Sequence, residues 1–132
     1  MKKFAILACI MTVSVGAAMA QQTVSIPFFA DSGATQAFVG IQNVGSTSVI
    51  VTANYLDTAG ANAETGGTTT LAPGQSLSFR PATASSGEVQ GNLSDASYSF
   101  GSIALTTDGG SVAGRYVQIS GSGSFAHNVE LN

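Results

Sequence analysis

Residues 35–56, TQAFVGIQNVGSTSVIVTANYL, decide the fold of this chain. Apolar residues occupy every second position on both sides of the short segment Val44-Gly45-Ser46. Alternation of this kind indicates strands with one buried face, and a short segment containing glycine between two such runs is typical of a β-hairpin. The pattern predicts strands over Thr35–Asn43 and Thr47–Leu56, paired as a hairpin.

The register of this predicted hairpin follows from its side chains. A three-residue loop sets Ile41 opposite Val49 and Val39 opposite Val51, which gathers the β-branched residues on one face.

The same alternation continues on both sides of this segment and predicts about eight strands in total. Pro27 lies inside the first of them and cannot donate to a ladder, so we predict an edge strand there. Pro73-Gly74 fits the two central positions of a type II turn, and residues 61–69 and 81–94 are predicted as loops. The predicted strands are Thr23–Ala30, Thr35–Asn43, Thr47–Leu56, Thr70–Leu71, Ser76–Arg80, Ala96–Thr107, Ser111–Ser120 and Ser124–Leu131.

The last three predicted strands form a meander, with turns at Asp108-Gly109-Gly110 and Gly121-Ser122-Gly123. Three-residue loops place Arg115 and His127 on the buried face and point Tyr116 outward, whereas a bulge near Gly114 reverses this, and the sequence leaves the choice open. The other residues expected on that buried face are Ile103, Leu105, Val117, Ile119, Phe125, Val129 and Leu131.

The N-terminus carries the signature of a secretory signal peptide. Lys2 and Lys3 precede an apolar run, which ends at the small-x-small sequence Ala18-Met19-Ala20. We predict that residues 1–20 are cleaved and that residues 21–132 form a single exported domain. The apolar run is too short for a membrane span, so none is expected in the mature chain.

Cys9, the only cysteine, lies inside this predicted leader, so the mature chain can form no disulfide. A lipid-anchored reading of Cys9 is disfavoured, because too few apolar residues precede it and the apolar run continues beyond it.

The predicted mature chain contains few charged residues. It has no lysine, two arginines (Arg80 and Arg115) and seven acidic residues, which gives a net charge of −5. Such a surface cannot neutralise a phosphate backbone, so nucleic acid is excluded as a partner.

Two motifs in this chain resemble those of a known family. Ile41-Gln42-Asn43-Val44-Gly45 and Leu71-Ala72-Pro73-Gly74-Gln75-Ser76 are similar to the hairpin and turn of immunoglobulin-like, CARDB-like (cell-adhesion-related) accessory domains of secreted bacterial proteins. The likeness covers Val39–Arg80. It implies an all-β, immunoglobulin-like antiparallel β-sandwich of seven to eight strands, whose relatives adhere, space or stabilise rather than catalyse, and it transfers no functional residue.

Residues that carry chemistry are few. His127 is the only histidine, and no serine lies in a Gly-x-Ser-x-Gly elbow, so we expect no enzyme, no catalytic residue and no cofactor. Asp57, Asn62 and Glu64 could offer oxygen ligands to calcium, although we favour Asp57 as the stabiliser of its own turn at residues 57–60.

Two non-catalytic functions remain from the sequence. Neutral sheet edges resist strand pairing poorly, and the segments Val24–Phe29 and Phe125–Leu131 are candidates for exchange between subunits. We therefore expect an exported structural or adhesive module of the bacterial surface or matrix that self-associates by strand addition. The alternative is a periplasmic or secreted module that binds carbohydrate or another ligand, which for carbohydrate would present Tyr98 or Tyr116 on an open face.

Overall fold

A computed structural model describes residues 20–83, 87–121 and 123–129, the last six of them as backbone only. The predicted leader, residues 1–19, lies outside the described residues. Within the described part of the chain, no helix is long and apolar enough to cross a membrane.

The described chain consists of eight antiparallel strands in two sheets. One sheet has the order β1-β6-β3-β4 and the other has the order β5-β2-β7-β8. The all-β sandwich is therefore confirmed, and the first strand is an edge strand as Pro27 predicted. The strands are β1 (Gln22–Ala30), β2 (Gln36–Asn43), β3 (Val49–Asp57), β4 (Ala63–Leu71), β5 (Ser76–Phe79), β6 (Phe100–Thr107), β7 (Val112–Ser120) and β8 (Gly123–Val129).

The strand order shares its centre with immunoglobulin domains and differs at the edges. In those domains the second strand pairs with the fifth, and the third pairs with the sixth in the opposite sheet. Here β2 pairs with β5 and β3 pairs with β6 in the same way. The first strand, however, lies beside β6 instead of β2, and the seventh lies beside β2 instead of β6.

The core lies between the two sheets and includes Val39, Ile41, Val49 and Val51, which alternation predicted to be buried. Tyr55, Phe29 and Phe79 are its largest fully buried side chains, and the rings of Phe29 and Tyr55 meet edge to face at 6.4 Å. Burying a side chain of this size stabilises the fold by about 1.5–3 kcal/mol. The core therefore joins β1, β3 and β5 across both layers.

The predicted hairpin of the second and third strands is wrong. β2 and β3 lie in different sheets, so their inward side chains meet across the core and not along a shared ladder. Asn43 explains the crossover, because its buried side chain donates to the carbonyls of Thr47 (2.7 Å) and Leu71 (3.0 Å) and accepts from the Gly45 N–H (2.9 Å). These bonds hold residues 44–48 as an arch between the layers.

The predicted loop at residues 61–69 is also wrong. This stretch begins a strand, β4, which forms a hairpin with β3 and is the edge of its sheet. Its sequence, AETGGTTTL, has few apolar residues because only Gly66, Thr69 and Leu71 are buried. When the buried face of an edge strand consists mainly of small residues, its amino-acid sequence resembles that of a loop.

The predicted three-stranded meander is only partly correct. β7 and β8 form the expected hairpin, but β6 belongs to the other sheet, and residues 108–111 cross between the layers. The sequence left the inward face of β7 open between two registers. Tyr116 is buried, whereas Arg115 and Ile119 are exposed, so the register given by three-residue loops does not hold. The reason is the partner strand, since β2 places inward-facing Val39 opposite Tyr116.

The turn after β4 matches its prediction. The Gln75 N–H donates to the Ala72 carbonyl at 3.0 Å, and Gly74 has a φ of 78°. Positive φ at the third residue of a four-residue turn is the type II geometry, which glycine adopts without strain. The next strand then buries Leu77 and Phe79 together.

Candidate functional site: the edges of the sandwich

The carboxylate of Asp31 is buried and has several polar partners. It is fully buried and forms an ion pair with Arg80, whose Nε donates at 2.9 Å and whose Nη2 donates to the same oxygen. The Ala82 N–H donates to the second oxygen at 3.1 Å. The Arg80 guanidinium also lies 5.8 Å from the ring centre of Phe38. This pair connects the end of β1 in one sheet to the end of β5 in the other.

The geometry of the Asp31–Arg80 pair is that of an ion pair with a structural role. Both carboxylate oxygens already accept hydrogen bonds, and the two side chains are at most one-tenth exposed. No pattern in the amino-acid sequence singles out Asp31 as the partner of Arg80.

The three candidate calcium ligands each form hydrogen bonds with other residues of the chain. One oxygen of Asp57 accepts from the Ala61 N–H at 2.9 Å, the other accepts from the Asn62 amide, and the Ala61 bond is the main reason that the pKa of Asp57 is lowered. Glu64 instead accepts from the backbone and hydroxyl of Ser97. Asp57 thus stabilises its own turn, as favoured from the sequence. Among the described residues, no three His, Cys, Asp or Glu side chains form a metal-binding group.

The tyrosines do not form the open sugar-stacking face that the alternative function requires. Tyr55 and Tyr116 are buried, while Tyr98 is half-buried. Burial raises the pKa of all three hydroxyls, most strongly that of Tyr55. The Tyr55 hydroxyl donates to the Ser94 carbonyl at 3.0 Å, and the Tyr116 hydroxyl donates to Gln118 at 2.7 Å.

His127 lies within β8, where its backbone pairs with Tyr116, so its predicted place on a strand is confirmed. Its side chain is outside the described part of the structure. The segment Asn92-Leu93-Ser94 is in the loop between β5 and β6, with Asn92 exposed and Leu93 buried.

The loop between β5 and β6 protects two of the four sheet edges. At β4, the Ser94 N–H donates to the Gly66 carbonyl at 2.8 Å. At β5, Ser78 and Val89 exchange two backbone hydrogen bonds of 2.9 and 2.8 Å. Because the backbone groups of edge strands are templates for further pairing, these contacts block strand addition on this side of the sandwich.

The opposite side of the sandwich carries the other two edges, β1 and β8. Among the described residues, each is paired on one side only, β1 with β6 and β8 with β7. Neither strand contains Asp, Glu, Lys or Arg. The two strands approach each other across the layers without forming a ladder. This side, with two uncharged terminal strands, is the candidate functional surface.

Comparison of the chain with protein-family models, with curated proteins and with solved structures found no match.

Proposed function

We propose that this protein is an exported, non-catalytic structural or adhesive module related to the immunoglobulin-like, CARDB-like accessory domains. We propose further that it self-associates by strand addition at the bacterial surface or in the extracellular matrix. The observation that carries the proposal is the asymmetry of the sandwich. The loop between β5 and β6 forms hydrogen bonds with the edges β4 and β5. In the part of the chain that the structure describes, β1 and β8 contain no Asp, Glu, Lys or Arg and are paired on one side only. Proteins that must remain monomeric guard such edges, most often with lysine, and residues 21–132 contain none.

The strength of such an association can be bounded. A strand of seven residues, such as β8, offers roughly seven ladder hydrogen bonds at about 1 kcal/mol each. Association costs about 4–15 kcal/mol in lost translational and rotational freedom. The two terms nearly cancel, so self-association is weak in dilute solution and strengthens where the protein is crowded on a surface.

Export is the second part of the proposal and rests on the leader-like sequence of residues 1–20. Intact-mass measurement of the protein from the culture medium and the periplasm tests it. A chain that begins at Gln21 supports export, and a cytoplasmic chain that retains Met1 or Lys2 contradicts it.

Self-association is tested by light scattering coupled to size-exclusion chromatography over a hundredfold range of protein concentration. We expect the mean mass to rise with concentration. A sharp monomer peak at every concentration, from protein whose circular dichroism shows β-structure, would exclude the proposal.

A further inference from the structure

The geometry points to β8 as the edge through which two copies of this chain pair, antiparallel about a twofold axis that crosses that strand. The inference rests on the proposed self-association and specifies its site and its partner. It selects one edge of the four that the sandwich has, the edges being β1, β4, β5 and β8.

Two of the four edges are covered by the chain itself. Ser94 bonds to the middle of β4, and the Ser97 N–H bonds to Glu64 near its start at 2.8 Å. Val89 pairs with Ser78 of the four-residue strand β5. A second copy could add to these edges only after the loop between β5 and β6 had moved away.

The regular hydrogen-bonding pattern of the third edge, β1, is interrupted. Its ladder with β6 shifts register between Ile26 and Phe29, so Pro27 and Phe28 form a bulge. Pro27 has no N–H to offer, and a bulge twists an edge away from a straight partner, which are two of the devices that natural sheets use against edge pairing.

β1 is also held in its own molecule. Val24, Ile26 and Phe29 are at most 2% exposed, and Asp31 at its end is paired with Arg80. Exchange of this strand between copies would have to break all of these contacts before any new contact formed.

The fourth edge, β8, has none of these protections in the described structure. Residues 123–129 pair with β7 in an unbroken register from Gly114↔Val129 to Ser120↔Gly123. The sequence GSFAHNV contains no proline and no Asp, Glu, Lys or Arg. It therefore offers seven residues of regular ladder without a gap.

β8 is compatible with a second copy of itself. A twofold axis makes the two strands antiparallel, so that only the residue on the axis faces its own copy and the residues before the axis face those after it. Like charges near the axis would therefore lie at short range and repel, and β8 contains no Asp, Glu, Lys or Arg. The product is one continuous eight-stranded sheet, in which the covered edges β5 lie at both ends.

This arrangement closes after two copies. A twofold contact uses the same surface on both molecules, so no unpaired β8 edge remains for a third copy. The inference therefore predicts a dimer. Filaments would require β8 of one copy to pair with a different edge of the next.

A cysteine scan tests the pairing directly, in protein that carries Cys9→Ser so that each introduced thiol is the only one. Single cysteines are placed at positions 124, 125, 126, 127 and 128 of β8, and at the exposed positions Thr23 and Ser25 of β1 and Thr68 and Thr70 of β4 as matched controls. Each variant is oxidised at high protein concentration, and covalent dimer is measured on non-reducing gels. Circular dichroism confirms that each variant is folded.

A twofold axis through β8 predicts a peak of covalent dimer at one position. Moving two residues from the axis separates the equivalent Cα atoms by about 14 Å, beyond the roughly 7 Å limit for a disulfide. We expect the yield to fall about tenfold or more over that distance, and the β1 and β4 controls to stay at the background level.

The possible failures are distinct. A monomer at every concentration would overturn both the inference and the proposed self-association. A concentration-dependent oligomer whose disulfide yield is flat along β8, or peaks on β1 or β4, would overturn the inference and leave the self-association standing. Filaments in electron micrographs would do the same, because a twofold β8 contact cannot produce them.

Discussion

The Asp31–Arg80 pair decides how the two sheets are joined at one end of the sandwich. Its carboxylate is completely buried and its guanidinium nearly so. Burying two charges is costly, but once they are buried together, removing one leaves the other without compensation. The pair therefore fixes where β1 ends relative to β5 more than it adds to the stability of the fold.

This role gives a prediction for the single and double variants. Asp31→Asn or Arg80→Met should each lower the free energy of unfolding by about 3–5 kcal/mol, because each leaves an uncompensated buried charge. The double variant should lose clearly less than the sum. Urea unfolding of the four proteins measures the coupling, and strictly additive losses would contradict the account.

The buried Tyr55 hydroxyl makes the free energy of unfolding depend on pH. Burial holds the pKa of Tyr55 well above its usual value of about 10, with further contributions from Asp95 and Tyr98. Below pH 10 the folded and unfolded chains both keep the proton. Above it only the unfolded chain releases the proton, so stability falls as the pH rises.

Urea unfolding between pH 8 and 11.5 should show this loss. The slope from Tyr55 reaches at most about 1.4 kcal/mol per pH unit, and Tyr55→Phe should remove that part of the slope while costing about 1 kcal/mol at pH 7 for the lost bond to Ser94. Tyr98→Phe is the control, because the half-buried Tyr98 should change the slope less. An unchanged slope in Tyr55→Phe would exclude the assignment.

At the scale of single elements, the arch between β2 and β3 depends on one side chain. Asn43→Ala removes three hydrogen bonds, to Thr47, Leu71 and Gly45, and should lower the free energy of unfolding by about 2–4 kcal/mol. Its exposed neighbour Gln42, changed to Ala, should cost less than about 0.5 kcal/mol. Equal losses in the two variants would show that Asn43 does not organise the crossover.

The contact between β4 and the loop that joins β5 to β6 depends on Gly66. A Cβ on Gly66 would lie 2.4 Å from the Tyr55 ring and 3.0 Å from the Ser94 carbonyl, so Gly66→Ala must displace the covering loop or the ring. We expect a loss of about 1–3 kcal/mol in thermal or urea unfolding. Gly40→Ala, on β2, is the matched control, because its nearest neighbours would be 3.9 Å away. A harmless Gly66→Ala would contradict the described contact.

The same elements show what a single sequence reveals and what it conceals. Alternation placed Val39 and Val49 on buried faces correctly, because the core sets that pattern. It paired them wrongly, because residues facing one core from opposite sheets alternate just as residues on one sheet do. Asn43, a polar residue between two buried runs, was the available signal for the arch.

The orientation of β7 could not be derived from its own sequence. Both faces of this strand carry large residues, with Tyr116 on one side and Val117 and Ile119 on the other. The inward face was decided by pairing with β2, a contact across more than 70 positions of the chain. Hairpin turns specify local register, whereas this pairing depends on the whole fold.

At the scale of the whole molecule, self-association depends on which sheet edges are protected more than on any single side chain. The sequence indicated that both terminal segments were candidates for exchange, and only the structure separates them. β1 is bulged, contains Pro27 and is anchored by Asp31, while β8 is regular along its length. The covering contacts of Val89 and Ser94 could not be seen in the sequence, because they come from a loop with few apolar residues.

The most direct test is hydrogen exchange of the backbone amides, measured on the same protein at low and high concentration. We predict that peptides covering residues 123–129 gain protection as concentration rises, while those covering β1, β4 and β5 do not change. Protection that does not depend on concentration anywhere, or that rises on β1 or β4 instead, would contradict the assignment of β8 as the associating edge.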